Sequence, residues 1–110
     1  MTREALGEFE HLVLLAILQL GTDVYGVPIV DEIERRTGRT GAPAAVYITL
    51  RRLEQKGLLE SWMSAPTAER GGKARRCVKV TPAGLRLLRD SRQALDRMWQ
   101  GLDPDLKRAR

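Results

Sequence analysis

Residues 44–84 constrain the fold most, because they place a helix, two short strands and another helix in one unbroken order. The run reads AAVYITLRRLEQKGLLESWMSAPTAERGGKARRCVKVTPAG. Its first part has apolar residues at helical spacing and ends at a Lys-Gly pair, and apolar alternation then predicts strands at 58–64 and 77–80. A Gly-Gly pair marks the turn between the strands, and Thr-Pro opens the last helix.

Upstream of that run the sequence predicts two more helices. Apolar residues at helical spacing predict a helix at 8–20, and a second helix at 27–37 ends at Gly38. Residues 39–43 form the predicted turn before a third helix at 44–56, and residues 103–110 are predicted to be a frayed tail. The predicted fold class is α+β: a winged helix-turn-helix DNA-binding domain at 1–81, with an added C-terminal dimerisation helix and tail at 82–110.

Positive charge is concentrated in the same part of the chain. Residues 41–80 contain eight Lys or Arg and three Asp or Glu, a net charge of +5, whereas residues 1–40 have a net charge of −3. The stretch from Arg70 to Lys79 has five cations and no anion. A concentrated positive field binds a polyanion by releasing its counterions. The expected partner is therefore double-stranded DNA.

The third helix is predicted to enter the major groove. Val46, Leu50 and Leu53 share its inward face, while arginines and an isoleucine lie on the opposite side. Arginine reaches guanine edges or phosphates, and an outward isoleucine suits a thymine methyl group. The candidate DNA-binding residues are Ala45, Tyr47, Ile48, Arg51 and Arg52 on the helix, with Arg70, Lys73, Arg75 and Arg76 on the wing.

A second apolar stripe on the first helix predicts that the chain forms a homodimer. Leu14, Leu15 and Leu18 lie opposite the stripe that is predicted to face the core, and one small core normally covers only one stripe. On the last helix, leucines repeat every seven residues at 88, 95 and 102, as in a short coiled-coil seam. The candidate dimer interface consists of Leu14, Leu15, Leu18, Leu88, Leu95, Met98, Trp99 and Leu102.

The residues present argue against several other functional classes. His11 and Cys77 are the only histidine and cysteine in the sequence, so neither a metal site with His/Cys spacing nor a cofactor is predicted. No nucleophile is matched with a plausible base and orienting group, so an enzyme is not expected. The apolar run at 12–18 is too short to cross a membrane and no signal peptide is visible, which makes the cytoplasm the expected location.

Five stretches together carry a more specific signal. They are LGEFEHLVLLAIL (6–18), VYGVPIVDEIERRTG (24–38), AVYITLRRLEQKGLLESW (45–62), RGGKARR (70–76) and VTPAGLRLL (80–88). In this order they resemble the PadR family of bacterial transcriptional regulators, in its short form with one C-terminal helix. The resemblance implies a homodimer that pairs through its first and last helices and binds a roughly palindromic operator, usually as a repressor. It also implies that a small aromatic molecule releases some members from DNA.

Trp99, late on the last helix, is the candidate effector-binding residue, with plain dimer packing as the alternative. Two departures from the family's pattern make the operator sequence non-transferable. Cys77-Val78 stands where members often have an aromatic pair, and Ile48 stands where a further basic residue is common. A winged-helix interaction or dimerisation module that does not bind DNA remains the alternative function, because a fold does not determine a function.

Overall fold

The computed structural model describes residues 5–40, 42–66 and 71–108. Within these ranges the elements follow in the order α1 (Glu8–Leu20), α2 (Gly26–Thr37), α3 (Pro43–Gln55), β1 (Leu59–Met63), β2 (Arg76–Val80) and α4 (Pro82–Trp99). The predicted order of helices and strands is confirmed. α3 starts at Pro43 because proline is tolerated in a first helical turn, where its missing N–H would have no partner within the helix.

Two local signals end and begin helices as the sequence predicts. Gly38 adopts a left-handed conformation with φ 71°, and its N–H donates to the Glu34 carbonyl at 2.9 Å, which closes α2. The Thr81 hydroxyl accepts a hydrogen bond from the Gly84 N–H at 3.1 Å and donates to the Gly57 carbonyl at 2.7 Å. Thr81 therefore caps α4 and also ties its start to the turn that follows α3.

The core lies where α1, α2 and α3 meet the two strands. Its members are apolar residues that recur at helical or strand spacing in all six elements and in the connecting segments. On α3 the inward face is the predicted one. The buried hydrophobic residues are Val13, Leu14, Ala16, Ile17, Val24, Ile29, Ile33, Val46, Leu50, Leu53, Leu58, Leu59, Cys77, Val78 and Leu88.

The two strands form an antiparallel ribbon, and β2 makes a further backbone contact outside it. Its register runs from Leu59 opposite Val80 to Met63 opposite Arg76. The Val78 N–H donates to the Val24 carbonyl at 2.8 Å, so β2 also pairs with the segment just before α2. The wing is therefore attached to the segment before α2 and is not connected through α3 alone.

The structure corrects three predictions about the apolar surface. Leu14 is 0% exposed and Leu88 is 6% exposed, so both belong to the core of the single chain and do not face outward. The prediction of a seven-residue leucine seam on the last helix is therefore wrong, because Leu88 is buried and Leu102 lies beyond the end of α4 at Trp99. α1 has more neighbours than the sequence pattern assumes, because α4 packs on it in addition to α2, α3 and β2.

The segment after α4 is also more ordered than predicted. The side chain of Asp103 accepts hydrogen bonds from the N–H groups of Asp105 and Lys107 at 3.0 and 2.9 Å. A bridge pairs Leu102 with Arg108, so residues 102–108 form a closed turn. An aspartate that satisfies local backbone donors is a common way to hold such a turn.

Candidate nucleic-acid interface

The outward face of α3 is exposed and carries the side chains that a groove-binding helix needs. Ile48 is 57% exposed although it is apolar, and it lies on the helix side opposite the buried Val46, Leu50 and Leu53. Ala44 and Ala45 are exposed at the start of the helix, where small side chains allow close approach to another surface. An apolar side chain at the centre of a polar, exposed face suits contact with a thymine methyl group.

The two arginines of α3 lie on different flanks of this face. Arg51 lines a notch between α3 and β2, together with Tyr47, Glu54 and Arg76. Arg52 lies on the flank near α1, where its charge acts on Glu10. Burial acts to raise the pKa of Glu10. The Gly7 N–H, the Lys56 ammonium 3.0 Å from the carboxylate and Arg52 outweigh it, so the pKa lies below its usual value. Adjacent arginines in the sequence therefore have separate surroundings in the fold.

Wing cations are held by neighbouring groups. The Arg75 guanidinium lies 4.1 Å from the centre of the Tyr25 ring, a distance typical of a cation–π contact. Lys79 pairs with Glu60 across the ribbon at 3.2 Å. Lys73 is exposed near the tip of the wing. The predicted contact at Arg70 lies outside the described residues.

Arg76 takes part in a network that joins α3 to both strands. Its Nη1 atom donates to the Ser61 hydroxyl at 2.9 Å and lies 3.6 Å from Oε2 of Glu54. The Ser61 hydroxyl in turn donates to Oε1 of Glu54 at 2.5 Å. Since Glu54 is on α3, Ser61 on β1 and Arg76 on β2, the network fixes the ribbon against the helix.

Gly26 determines where the ring of Tyr47 lies. A Cβ atom at position 26 would be 2.5 Å from Cε1 and 2.8 Å from the hydroxyl oxygen of Tyr47. Only a residue without a side chain leaves room for this contact. The ring of Tyr47 therefore rests on the start of α2, at the edge of the same notch that Arg51 lines.

A second surface, which we call the arm surface, is apolar. It consists of Leu15 and Leu18 on α1 with Leu95, Met98, Trp99 and Leu102 at the end of the chain. All six are exposed, from 40% for Leu15 to 76% for Met98. These are six of the eight predicted interface residues, the other two being the buried Leu14 and Leu88. So much exposed apolar surface is typical of an interaction site.

Between α1 and α4 the arm surface continues into a groove of about 650 Å³. Leu12, Leu15, Leu87 and Leu95 contribute apolar walls. His11 also lines the groove, and its Nδ1 atom lies 3.1 Å from the Ser91 hydroxyl, which links the two helices. Burial lowers the pKa of His11, so the ring is held in its neutral form. Trp99 does not line this groove.

The described residues contain no group of three or more His, Cys, Asp or Glu side chains that could hold a metal ion. Over the same ranges, none of the helices combines the length and the apolar character that crossing a bilayer requires.

Three of these arrangements were not predicted from the sequence. The contact between Tyr25 and Arg75, the space under Tyr47 and the network around Glu54 join residues that are far apart in the chain. The Tyr-Gly pair at the start of α2 is a signal that the sequence shows, because glycine at a helix start suggests that another group packs closely against the backbone there. Glu54 is the one anion of α3, but its partners on the ribbon follow only from the packing of strands on helix.

This arrangement defines a class: three helices with a two-stranded wing and a fourth helix, the architecture of a winged helix-turn-helix protein. A model of the transcriptional regulator PadR-like family matches residues 14–90. The transcriptional regulator Rv3488 of Mycobacterium tuberculosis is 38% identical over 94 residues, which cover 83% of each chain. The chain therefore belongs to the PadR-like family: it is a DNA-binding transcription regulator and not an enzyme.

Solved structures agree with this fold. A PadR family transcription regulator from Clostridium difficile R20291 matches with a TM-score of 0.70 and 23% identity, over 84% of this chain and 91% of that one. A PadR family transcriptional regulator from Eggerthella lenta matches with a TM-score of 0.66 and 29% identity, over 86% and 81% of the two chains. The first likeness concerns the fold alone, and both support the α+β winged-helix architecture.

Proposed function

We propose that the protein is a repressor that binds a palindromic operator as a homodimer in the cytoplasm. In this proposal residues 1–81 contact DNA, and residues 82–110 together with α1 form the dimer. The observation that carries the DNA-binding part is an exposed α3 face beside a cationic wing that the chain itself holds against the neighbouring flank of α3. A protein that places a helix in the major groove and a ribbon on the adjacent DNA backbone uses both the exposed face and the cationic wing.

The proposed division of labour assigns base reading to the outward face of α3. Ile48 and Ala45 would contact base edges and thymine methyl groups, and Arg52 would reach a guanine or a phosphate on the flank near α1. Arg70, Lys73 and Arg75 on the wing would contact phosphates, which position a protein on DNA without reading its sequence. Tyr47, Arg51 and Arg76 line the notch between α3 and β2.

The homodimer is supported by the arm surface. Its six exposed apolar residues lie on α1 and at the end of the chain, and a second copy related by a two-fold axis would bury the same residues on both subunits. Full burial of an exposed large apolar side chain contributes about 1.5–3 kcal/mol, and each of these partly buried side chains would contribute a fraction of that. A two-fold dimer would bind a palindromic operator, because the symmetry of the two half-sites mirrors the two-fold symmetry of the protein.

Titration of labelled duplex DNA at several salt concentrations tests the DNA-binding part. We expect binding that weakens steeply as salt rises, with Lys73→Ala reducing the slope by about one unit for its lost phosphate contact. Lys107→Ala, a change of equal charge in the turn after α4, serves as the control and should leave the slope unchanged. Binding without salt dependence would contradict the proposed interface.

The proposal also includes release from DNA by a small aromatic ligand. Trp99 is 53% exposed at the end of α4, where two copies in a dimer would bring paired indoles together. A planar ligand between them would change DNA affinity only if it bound the two dimer geometries unequally. Tryptophan emission of the Trp62→Phe variant, followed while planar aromatic compounds are added, isolates Trp99. If no compound changes the emission, this part should be dropped.

A further inference from the structure

The notch between α3 and β2 has an apolar floor and a charged rim. Its volume is about 360 Å³, several times the ~30 Å³ that one water molecule occupies in the liquid. Leu50 and Val78 are buried and form the floor, while Arg51, Glu54 and Arg76 are exposed at the rim. An open notch of this size accepts one small polar group together with its waters.

Two guanidinium groups from different elements line this notch. Arg51 comes from α3 and Arg76 from β2, and the only anion among the residues that line it is Glu54. The formal charge of the three groups is therefore +1, which complements a single phosphate diester. Arg76 contacts Ser61 and Glu54 through Nη1, and a guanidinium has further N–H donors on its other nitrogens.

The position of the notch selects the DNA backbone over the bases. A helix with its side chains is about 10–12 Å across and the major groove is about 12 Å wide, so side chains on a flank of the helix meet the groove wall. The notch lies on the flank of α3 that faces the ribbon, whereas Ile48 is on the outward face. The wall of the groove is made of phosphates and sugars.

We infer that this notch is a subsite for one phosphate of the DNA backbone, held by Arg51, Arg76 and the hydroxyl of Tyr47. Arg51 is then a backbone contact and not a reader of base edges. Glu54 is a positioning residue, because with Ser61 it holds Arg76 at the rim. The inference rests on the proposed function, since it needs duplex DNA on α3 and the wing.

The test uses the full chain and a duplex recovered by the wild-type protein from a random-sequence library. A set of duplexes carries a neutral methylphosphonate at one backbone position each. In each half-site we expect one position at which the modification weakens wild-type binding by roughly tenfold, as for loss of a charged hydrogen bond. Arg51→Ala and Arg76→Ala should each weaken the unmodified duplex and show a smaller further loss at that position than the wild-type protein, because one of the groups that hold the phosphate is already gone.

Controls separate this outcome from others. Arg97→Ala removes the same charge from α4 and should keep the full penalty at that position, and thermal unfolding should show that every variant folds. If the Arg51 and Arg76 variants bind DNA and retain the wild-type penalty at every position, the subsite is overturned and the proposed function stands. If the wild-type protein binds no duplex even at low salt, the proposed function fails, and the subsite with it.

Glu54→Gln tests the positioning role. The amide keeps an oxygen that can accept from Ser61 but removes the charge that attracts Arg76. We expect the penalty at the notch phosphate to fall severalfold, while affinity for random duplex DNA rises severalfold because a negative charge has left the interface. An unchanged penalty in a variant with increased random-DNA affinity would show that Glu54 does not position Arg76.

Discussion

The surface formed by α3, the two strands and the start of α2, which we call the head, and the arm surface both expose side chains. The chain supports the two surfaces differently. In the head, Tyr47 rests on Gly26, Arg75 on Tyr25, and Arg76 on Ser61 and Glu54. On the arm surface, Met98 is 76% exposed and Leu95 is 55% exposed. The polar surface is therefore arranged before its partner arrives, whereas the apolar surface would gain its burial only from the proposed dimer. Preorganisation reduces the entropy lost on binding, and apolar association depends on the area removed from water.

Breaking the arm surface should have the largest effect. Leu95→Asp would place an unpaired carboxylate in an apolar interface, so we expect the dimer dissociation constant to rise at least ~100-fold. Operator affinity should fall by a similar or larger factor, because the second half-site is no longer bound by the same particle. Analytical ultracentrifugation and operator titration measure the two effects. Gln93→Asp, on the opposite side of α4, is the matched control, and a stable Leu95→Asp dimer would rule out this interface.

A change in the head should have an intermediate effect, because it first alters a contact within the single chain. In Gly26→Ala the added Cβ meets the ring of Tyr47, where the distance to Cε1 would be 2.5 Å. Overpacking of this kind costs about 1–3 kcal/mol, and the displaced ring should also weaken DNA binding. Urea denaturation measures the first effect. Adding Tyr47→Ala should remove most of the cost of Gly26→Ala, since the two residues are in contact. If the two changes are additive, the contact does not constrain this position.

The smallest effect concerns the groove between α1 and α4, beside the arm surface. Burial lowers the pKa of His11 from its usual value of 6.5. The unfolded chain therefore takes up this proton at a higher pH than the folded chain. Stability is fully present above 6.5 and declines as pH falls through 6.5 towards the lower folded value. The expected change is a modest decrease in the free energy of unfolding between pH of about 7.5 and 5.5.

Denaturant titrations of wild type and His11→Gln at both pH values check this expectation. Glutamine can still hydrogen-bond to Ser91 but does not titrate, so the variant should lose the pH-dependent difference. Glu8 and Asp90 are the other charged groups that line the same groove. An equal pH dependence in both proteins would assign it to other groups.

The sequence by itself determined the order of the elements and the inward face of α3. The Thr81 cap, the Gly38 stop and the inward face of α3 all depend on residues close together in the chain, and the structure agrees with each. Charge patterning likewise located the wing. These signals are local because a helix or strand repeats its geometry every few residues.

Only the tertiary structure decided how many neighbours each face has. Leu14 was predicted to be on the outer side of α1, yet it is 0% exposed in a helix that packs against α2, α3, α4 and β2. Arg51 and Arg52 are adjacent in sequence, yet one lines the notch and the other acts on Glu10. Periodicity gives a direction around a helix axis, whereas burial and charge contacts depend on what the rest of the chain places in that direction.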